Sequence, residues 1–205
     1  MRIITISREF GSGGREFGKR LADALGMPCY DQQIIEMVAE KEALDKTYVE
    51  NRSESIRMFY PTTIAMGFKR YGYAVVPNTR IMASEQELVE KLAAEGDCVI
   101  VGRAADIVLE KERPFRIFVC ADDRSKLERC RAMAVGGEKL SDKDILRKCR
   151  EIDKRRAAYR KAFTDKAWGN AAAYELCVNT SGREIKSLIP AVVSYINDWY
   201  LKEQK

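Results

Sequence analysis

The chain opens on an apolar run, Ile3-Ile4-Thr5-Ile6-Ser7, that passes through Arg8-Glu9-Phe10 into Gly11-Ser12-Gly13-Gly14 and then at once into the helical pattern Phe17-Gly18-Lys19-Arg20-Leu21-Ala22-Asp23-Ala24-Leu25. Strand, glycine-rich loop and helix in that order constrain the rest. The glycines free the backbone to curl with its N–H groups inward, and the first turn of the following helix adds unpaired N–H groups at the positive end of its dipole. Such a corner holds anions, phosphates above all.

The loop matches no nucleotide fingerprint completely. The P-loop pattern G-x-x-x-x-G-K-[ST] uses its lysine on the β/γ-phosphates and its hydroxyl on Mg²⁺. With Gly13 as the second glycine, the first falls on Arg8, the lysine on Gly14 and the hydroxyl on Arg15. In the dinucleotide pattern G-x-G-x-x-G, Gly11 and Gly13 fit but Glu16 stands at the third glycine. By itself the loop is equally a phosphate site or a flexible turn.

At 205 residues, 46% hydrophobic and 33% charged, the chain has the size of one domain and enough apolar material for a core. No apolar run approaches the roughly 20 residues of a membrane span, and no long apolar leader follows Met1, so a cytoplasmic protein without a membrane partner is expected. The six cysteines show no C-x-x-C pairing and read mainly as reduced core residues. Histidine is absent altogether, which excludes His-based acid–base catalysis and mixed Cys/His zinc sites. Chemistry here rests on carboxylates, arginines, lysines, a metal ion or the backbone.

Apolar, β-rich runs at 98–101, 115–120 and 176–180 alternate with helical patterns at 84–95, 124–135, 142–163 and 185–201. That alternation predicts a three-layer α/β/α sandwich around a parallel sheet. Ser84, followed three residues later by Glu87, reads as the cap that opens the first of these helices. Residues 45–77 read as a helical insertion whose aromatic side chains serve the core or a homodimer contact. One domain, 1–205, is expected: a core of 1–44, 78–135 and 174–205, the insertion at 45–77 and a lid at 136–173.

The lid segment holds a dense basic run, Arg147 to Lys161. Arginine forks match phosphate oxygens bidentately, so this run is either a phosphate-closing lid or a solvated helix face. Nucleic acid is not expected as a partner, because the net charge of +5 is modest and few aromatic residues interleave the arginines.

Four ordered blocks together resemble the cytidylate kinase-like family of P-loop proteins: Ile4 to Gly14 at the loop, Pro28-Cys29-Tyr30-Asp31, Val99 to Asp106, and Ile152-Asp153-Lys154-Arg155-Arg156 with Tyr159 and Trp168-Gly169. The resemblance implies a nucleoside-monophosphate-kinase-like fold with a helical acceptor side and an arginine-bearing lid. It implies ATP and Mg²⁺ as cofactors and a nucleotide or small phosphorylated molecule as substrate, with CMP leading. In that reading Gly11, Ser12, Gly13, Gly14, Arg15 and Glu16 hold the donor phosphates. Asp31, Arg103 and Asp106 bind the acceptor, and Arg15, Arg103, Arg155 and Arg156 carry catalysis. Arg15 takes over the missing lysine's charge, and Arg103, Arg155 and Arg156 are expected in exposed positions where their loss spares the fold. Ser12, Glu16, Asp31 and Asp106 are the oxygens available to a metal. The chain departs from the family where Gly14 replaces the lysine and where Val101 and Ala104 replace the two aspartates of Asp-Gly-Arg-Asp. Two functions therefore stand side by side: a kinase, or a phosphate-binding regulator that keeps the fold without catalysis.

Overall fold

The computed structural model describes residues 1–46, 49, 79–133 and 140–203. Five parallel strands, β1 (Ile3–Arg8), β2 (Cys29–Tyr30), β3 (Cys98–Val101), β4 (Phe115–Cys120) and β5 (Leu176–Asn179), form one sheet in the order β2-β3-β1-β4-β5. Seven α-helices among the described residues surround it: α1 (Gly14–Leu25), α2 (Gln32–Lys41), α3 (Thr79–Ala94), α4 (Ala105–Val108), α5 (Asp123–Met133), α6 (Asp142–Lys161) and α7 (Ile185–Glu203).

Both faces of the sheet are covered, which is why its strands read as continuous apolar runs. Ile4 and Ile6 pack with Val99 and Val101 against Phe17 and Leu21 of α1 and Ile185, Ile189, Val192 and Ile196 of α7. The alternate residues Ile3, Cys98 and Ile100 point the other way, against Ile34 and Val38 of α2 and Ile81, Leu88 and Leu92 of α3. Period-two alternation thus divides one strand between two cores.

The expected sandwich is found, with three local differences. The edge strand β2 is only two residues long, too short for a hydrophobic pattern to announce it. Helix α3 begins at Thr79, so Ser84 lies in its interior and donates to Glu42 rather than capping the helix. Cys177 is exposed on β5 rather than buried in the core, and the cysteines are all free. The aromatic residues of the expected insertion lie outside the described residues. Among the described residues no helix is long and apolar enough to cross a membrane.

Candidate active site

The side on which strands are added reverses at β1: its outgoing helix α1 leads to β2 on one side, whereas β3 connects across β1 to β4 on the other. In open α/β sheets the crevice beyond the strand ends at such a switch point receives the ligand. The glycine loop sits there.

Gly11 and Gly13 adopt left-handed backbone, at φ 74° and 79°. A Cβ on Gly13 would come within 2.7 Å of Ile185 Cδ1, so the loop lies directly on the start of α7 and side chains are excluded from its inner side. Gly13 caps α1 without any side-chain hydrogen bond, so the N-cap residue leaves the first-turn N–H groups of this 12-residue helix uncovered. The rest of the loop is tied down. Thr180 Oγ1 donates to the Ser12 carbonyl at 2.7 Å, Ser12 Oγ to the Glu9 carbonyl at 2.7 Å, and Arg129 to Thr180 O at 2.8 Å and Gly11 O at 3.4 Å. Phe10 N–H donates to Asp153 on α6 at 2.7 Å. The loop and α6 therefore share a joint.

Burial pushes the Asp153 carboxyl up to about 6, against the opposing pull of Arg156 and of the Phe10 N–H bond. The native state therefore holds this proton more tightly than the unfolded chain. Its contribution to stability is full below the ordinary value of 3.8 and is lost as pH rises through about 6. Asp153→Asn should flatten the pH dependence of the unfolding midpoint between those values, and Asp153 should titrate near 6 by carboxyl NMR. A wild-type midpoint that depends on pH as the variant's does would reject the assignment.

The sequence-read arginines divide into three environments. Arg15 is 68% exposed at the mouth of the loop, where its Nε lies 2.8 Å from Asp31 Oδ2 and its Nη2 donates to Gln32 at 3.0 Å. Arg155 is half-buried on α6. Arg156, expected to be exposed, is instead buried: it donates to the Arg8 carbonyl at 2.9 Å and lies over the Phe10 ring.

Arg103 corrects the expectation of an exposed group. It is 1% exposed and donates to Glu85 Oε1 at 2.9 Å, while Tyr159 donates to Glu85 Oε2 at 2.6 Å. Its backbone is left-handed at φ 60°, as is that of Ala104 at φ 48°. This bent segment after β3 directs the guanidinium inward.

Asp106 is equally committed. It forms a buried ion pair with Arg160, whose guanidinium also lies over the Tyr174 ring. Burial pushes the Asp106 carboxyl upward, and Arg160 opposes that shift. Arg160 Nη2 is buried without a hydrogen-bond partner among the described residues, and Arg160 borders a small cavity with Ser7, Gly102, Asp106, Arg156, Tyr159 and Trp168. An orphaned guanidinium N–H beside a cavity is suited to an anionic oxygen.

The four oxygens read as metal candidates are each engaged: Ser12 with the Glu9 carbonyl, Glu16 with Arg20, Asp31 with Arg15 and Asp106 with Arg160. No cluster of three metal-ligating side chains exists among the described residues. The described residues offer no cluster of side chains that would cage Mg²⁺.

Sequence reasoning did not single out Glu85, Arg160, Arg129 or Thr180. Glu85 carried a signal, since it falls on the stripe Ile81, Leu88 and Leu92 that faces the core. A carboxylate in an apolar stripe demands a buried cation.

Comparison with known proteins agrees with this geometry. The model of the cytidylate kinase-like family matches residues 3–182. The fold is shared with an uncharacterized protein from Eubacterium ventriosum (TM-score 0.69, 22% identity, 96% of this chain and 99% of that one). It is shared also with shikimate kinase from Bacteroides thetaiotaomicron (TM-score 0.56, 14% identity, 97% and 98%) and a gluconokinase from Sinorhizobium meliloti (TM-score 0.52, 14% identity, 100% and 97%). No curated protein sequence is similar enough to match.

Proposed function

Because this chain belongs to the cytidylate kinase-like family, we propose that it is an ATP-dependent phosphotransferase acting on a nucleoside monophosphate, CMP first, or on another small phosphorylated metabolite. The observation that carries this reading is the uncapped N-terminus of α1 behind a left-handed glycine loop at the switch point of the sheet. Phosphoryl transfer asks a protein for positioning and for positive charge around the equatorial oxygens. Backbone N–H groups of residues 11–16 meet the donor phosphates, with Arg15 at the mouth. Arg155 and Arg156 bring charge from α6, and the cavity bordered by Arg156 and Arg160 takes the acceptor's anionic group. Arg103, held by Glu85, supports that cavity from behind. ATP fits the cradle; Mg²⁺ enters as the ion the triphosphate carries, the described residues forming no cluster to hold it.

The second reading, a nucleotide-binding regulator without catalysis, is favoured by Gly14 at the lysine position and by Val101 and Ala104 at the two aspartate positions. One experiment separates them. ADP release is measured with ATP, Mg²⁺ and a panel of nucleoside monophosphates, together with shikimate and gluconate, while nucleotide binding is followed by thermal shift. Release with one acceptor well above background supports the kinase. Stabilisation by ATP without release from any acceptor supports the regulator, and stabilisation by neither ATP nor GTP at millimolar concentration rejects both.

A further inference from the structure

Two departures from the P-loop pattern lie on top of one another in space. Arg8, the last residue of β1, stands where the pattern has its first glycine, and Gly14, the first residue of α1, stands where it has its lysine. A Cβ built on Gly14 would lie 2.4 Å from Arg8 Cβ and 2.8 Å from Arg8 Cγ. The Arg8 stem therefore crosses directly over the α-carbon of residue 14. No side chain fits at 14 while Arg8 holds that course, and the space a lysine stem needs is filled by the arginine stem.

The charge is conserved in this exchange. The Arg8 side chain is only 7% exposed, its Nη2 lies 3.9 Å from Asp31 Oδ1, and its carbonyl is held by Arg156 from α6. Arg8 is in electrostatic contact with Asp31 Oδ1, and Arg15 holds the other Asp31 oxygen at 2.8 Å. Arg8 is thus a buried cation at the strand end beside the glycine loop, and Arg15 an exposed one at its rim.

We propose that glycine and cation have changed places in this loop, so that Arg8 supplies the charge for the β/γ-phosphates that the pattern assigns to the lysine after Gly13. The proposal rests on the phosphate-site reading of the loop. A planar guanidinium offers two phosphate oxygens parallel donors, a grip an ammonium cannot reproduce. Arg15 then contributes an outer contact open to water, where attraction is screened.

The exchange is tested by calorimetric binding of ATP with Mg²⁺, and of AMP, alongside thermal unfolding. Arg8→Met keeps the stem and removes the charge: it should fold as the wild type does, bind ATP about 10- to 100-fold more weakly and bind AMP nearly unchanged. Arg15→Ala should weaken ATP binding by no more than about threefold. A readout independent of any ligand follows from the packing. Gly14→Ala should lower the unfolding midpoint in the wild-type background and be tolerated in the Arg8→Gly background, so that the double variant Arg8→Gly/Gly14→Ala unfolds at or above the midpoint of Gly14→Ala. The swap Arg8→Gly/Gly14→Lys should bind ATP more tightly than Arg8→Gly alone. Equal ATP affinity for wild type and Arg8→Met overturns the proposal while leaving the phosphate site standing. Wild-type protein that binds no triphosphate overturns both. Additive effects of Gly14→Ala and Arg8→Gly on stability overturn the steric exchange.

Discussion

Arg103→Ala is expected to unfold at a temperature lower than the wild type by roughly 6–20 °C, from about 3–5 kcal/mol lost when a buried ion pair is broken on one side and about 2–4 °C per kcal/mol for a chain of this size. The cause is the Glu85 carboxylate, fully buried, which loses its cationic partner and keeps the neutral Tyr159 hydroxyl as a donor. Water cannot reach it cheaply, because Ile81, Leu88 and Leu92 share its helix face. Arg103→Met combined with Glu85→Gln removes both charges and keeps an acceptor for Tyr159, so it should recover most of the loss. The measurement is thermal unfolding followed by circular dichroism. If Arg103→Ala instead unfolds with the wild type and loses ligand affinity, the guanidinium acts on the ligand and its partnership with Glu85 is incidental.

This pair shows where sequence legibility ends. The strand Cys98–Val101 and the turn that follows are readable because β-branched runs and glycine report local backbone preference. The destination of Arg103 is not local. It depends on three successive left-handed residues, Gly102, Arg103 and Ala104, which turn the side chain back toward α3, and on Glu85 arriving there from a helix that starts at Thr79. Placing the helix start at Ser84 put Glu85 in an exposed first turn, where acids are expected for a different reason. The glycine loop lies at the opposite extreme. Its glycines and the helix behind it are contiguous, so the strand–loop–helix corner is legible from spacing, while the assignment of residues 11–16 to donor phosphates rests on the family resemblance. The course of Arg8 over Gly14 is a contact between residues six apart. Its signal, a missing lysine matched by an arginine at a glycine position, was in the sequence as two separate misfits.

The basic run of α6 shows the same limit in another form. Arginine and lysine at nine of the 20 positions, with four acids among them, hide which side chains face inward, because charges on every side of the helix blur the apolar period. Packing selects Ile145, Cys149, Ile152, Arg156 and Tyr159, spaced by three or four, and Arg160 beside them. The last two arginines of the inner face meet the ends of β1 and β3, whereas Arg147 pairs with Asp144 in solvent.

Asp106→Ala supplies the sharpest test of whether that inner face recognises an anion. Removing the carboxylate leaves Arg160, 2% exposed, with its counter-charge gone, and about 3–5 kcal/mol of stability should go with it. The orphaned Nη2 and the adjoining cavity change what happens next. A small anion that enters the cavity restores the missing charge and the missing acceptor together, and binding to the native state alone raises stability with ligand concentration. Sulfate or phosphate should therefore raise the unfolding midpoint of Asp106→Ala by more than that of the wild type, and the excess should vanish in Asp106→Ala/Arg160→Met. The double variant should also be more stable than Asp106→Ala without added anion, since the uncompensated charge is gone. Equal gains for all three proteins would mean that sulfate acts through general exclusion from the protein surface. Arg160 would then be a closed structural partner of Asp106, and the acceptor's anionic group would have to be met by Arg156 or Arg155 instead.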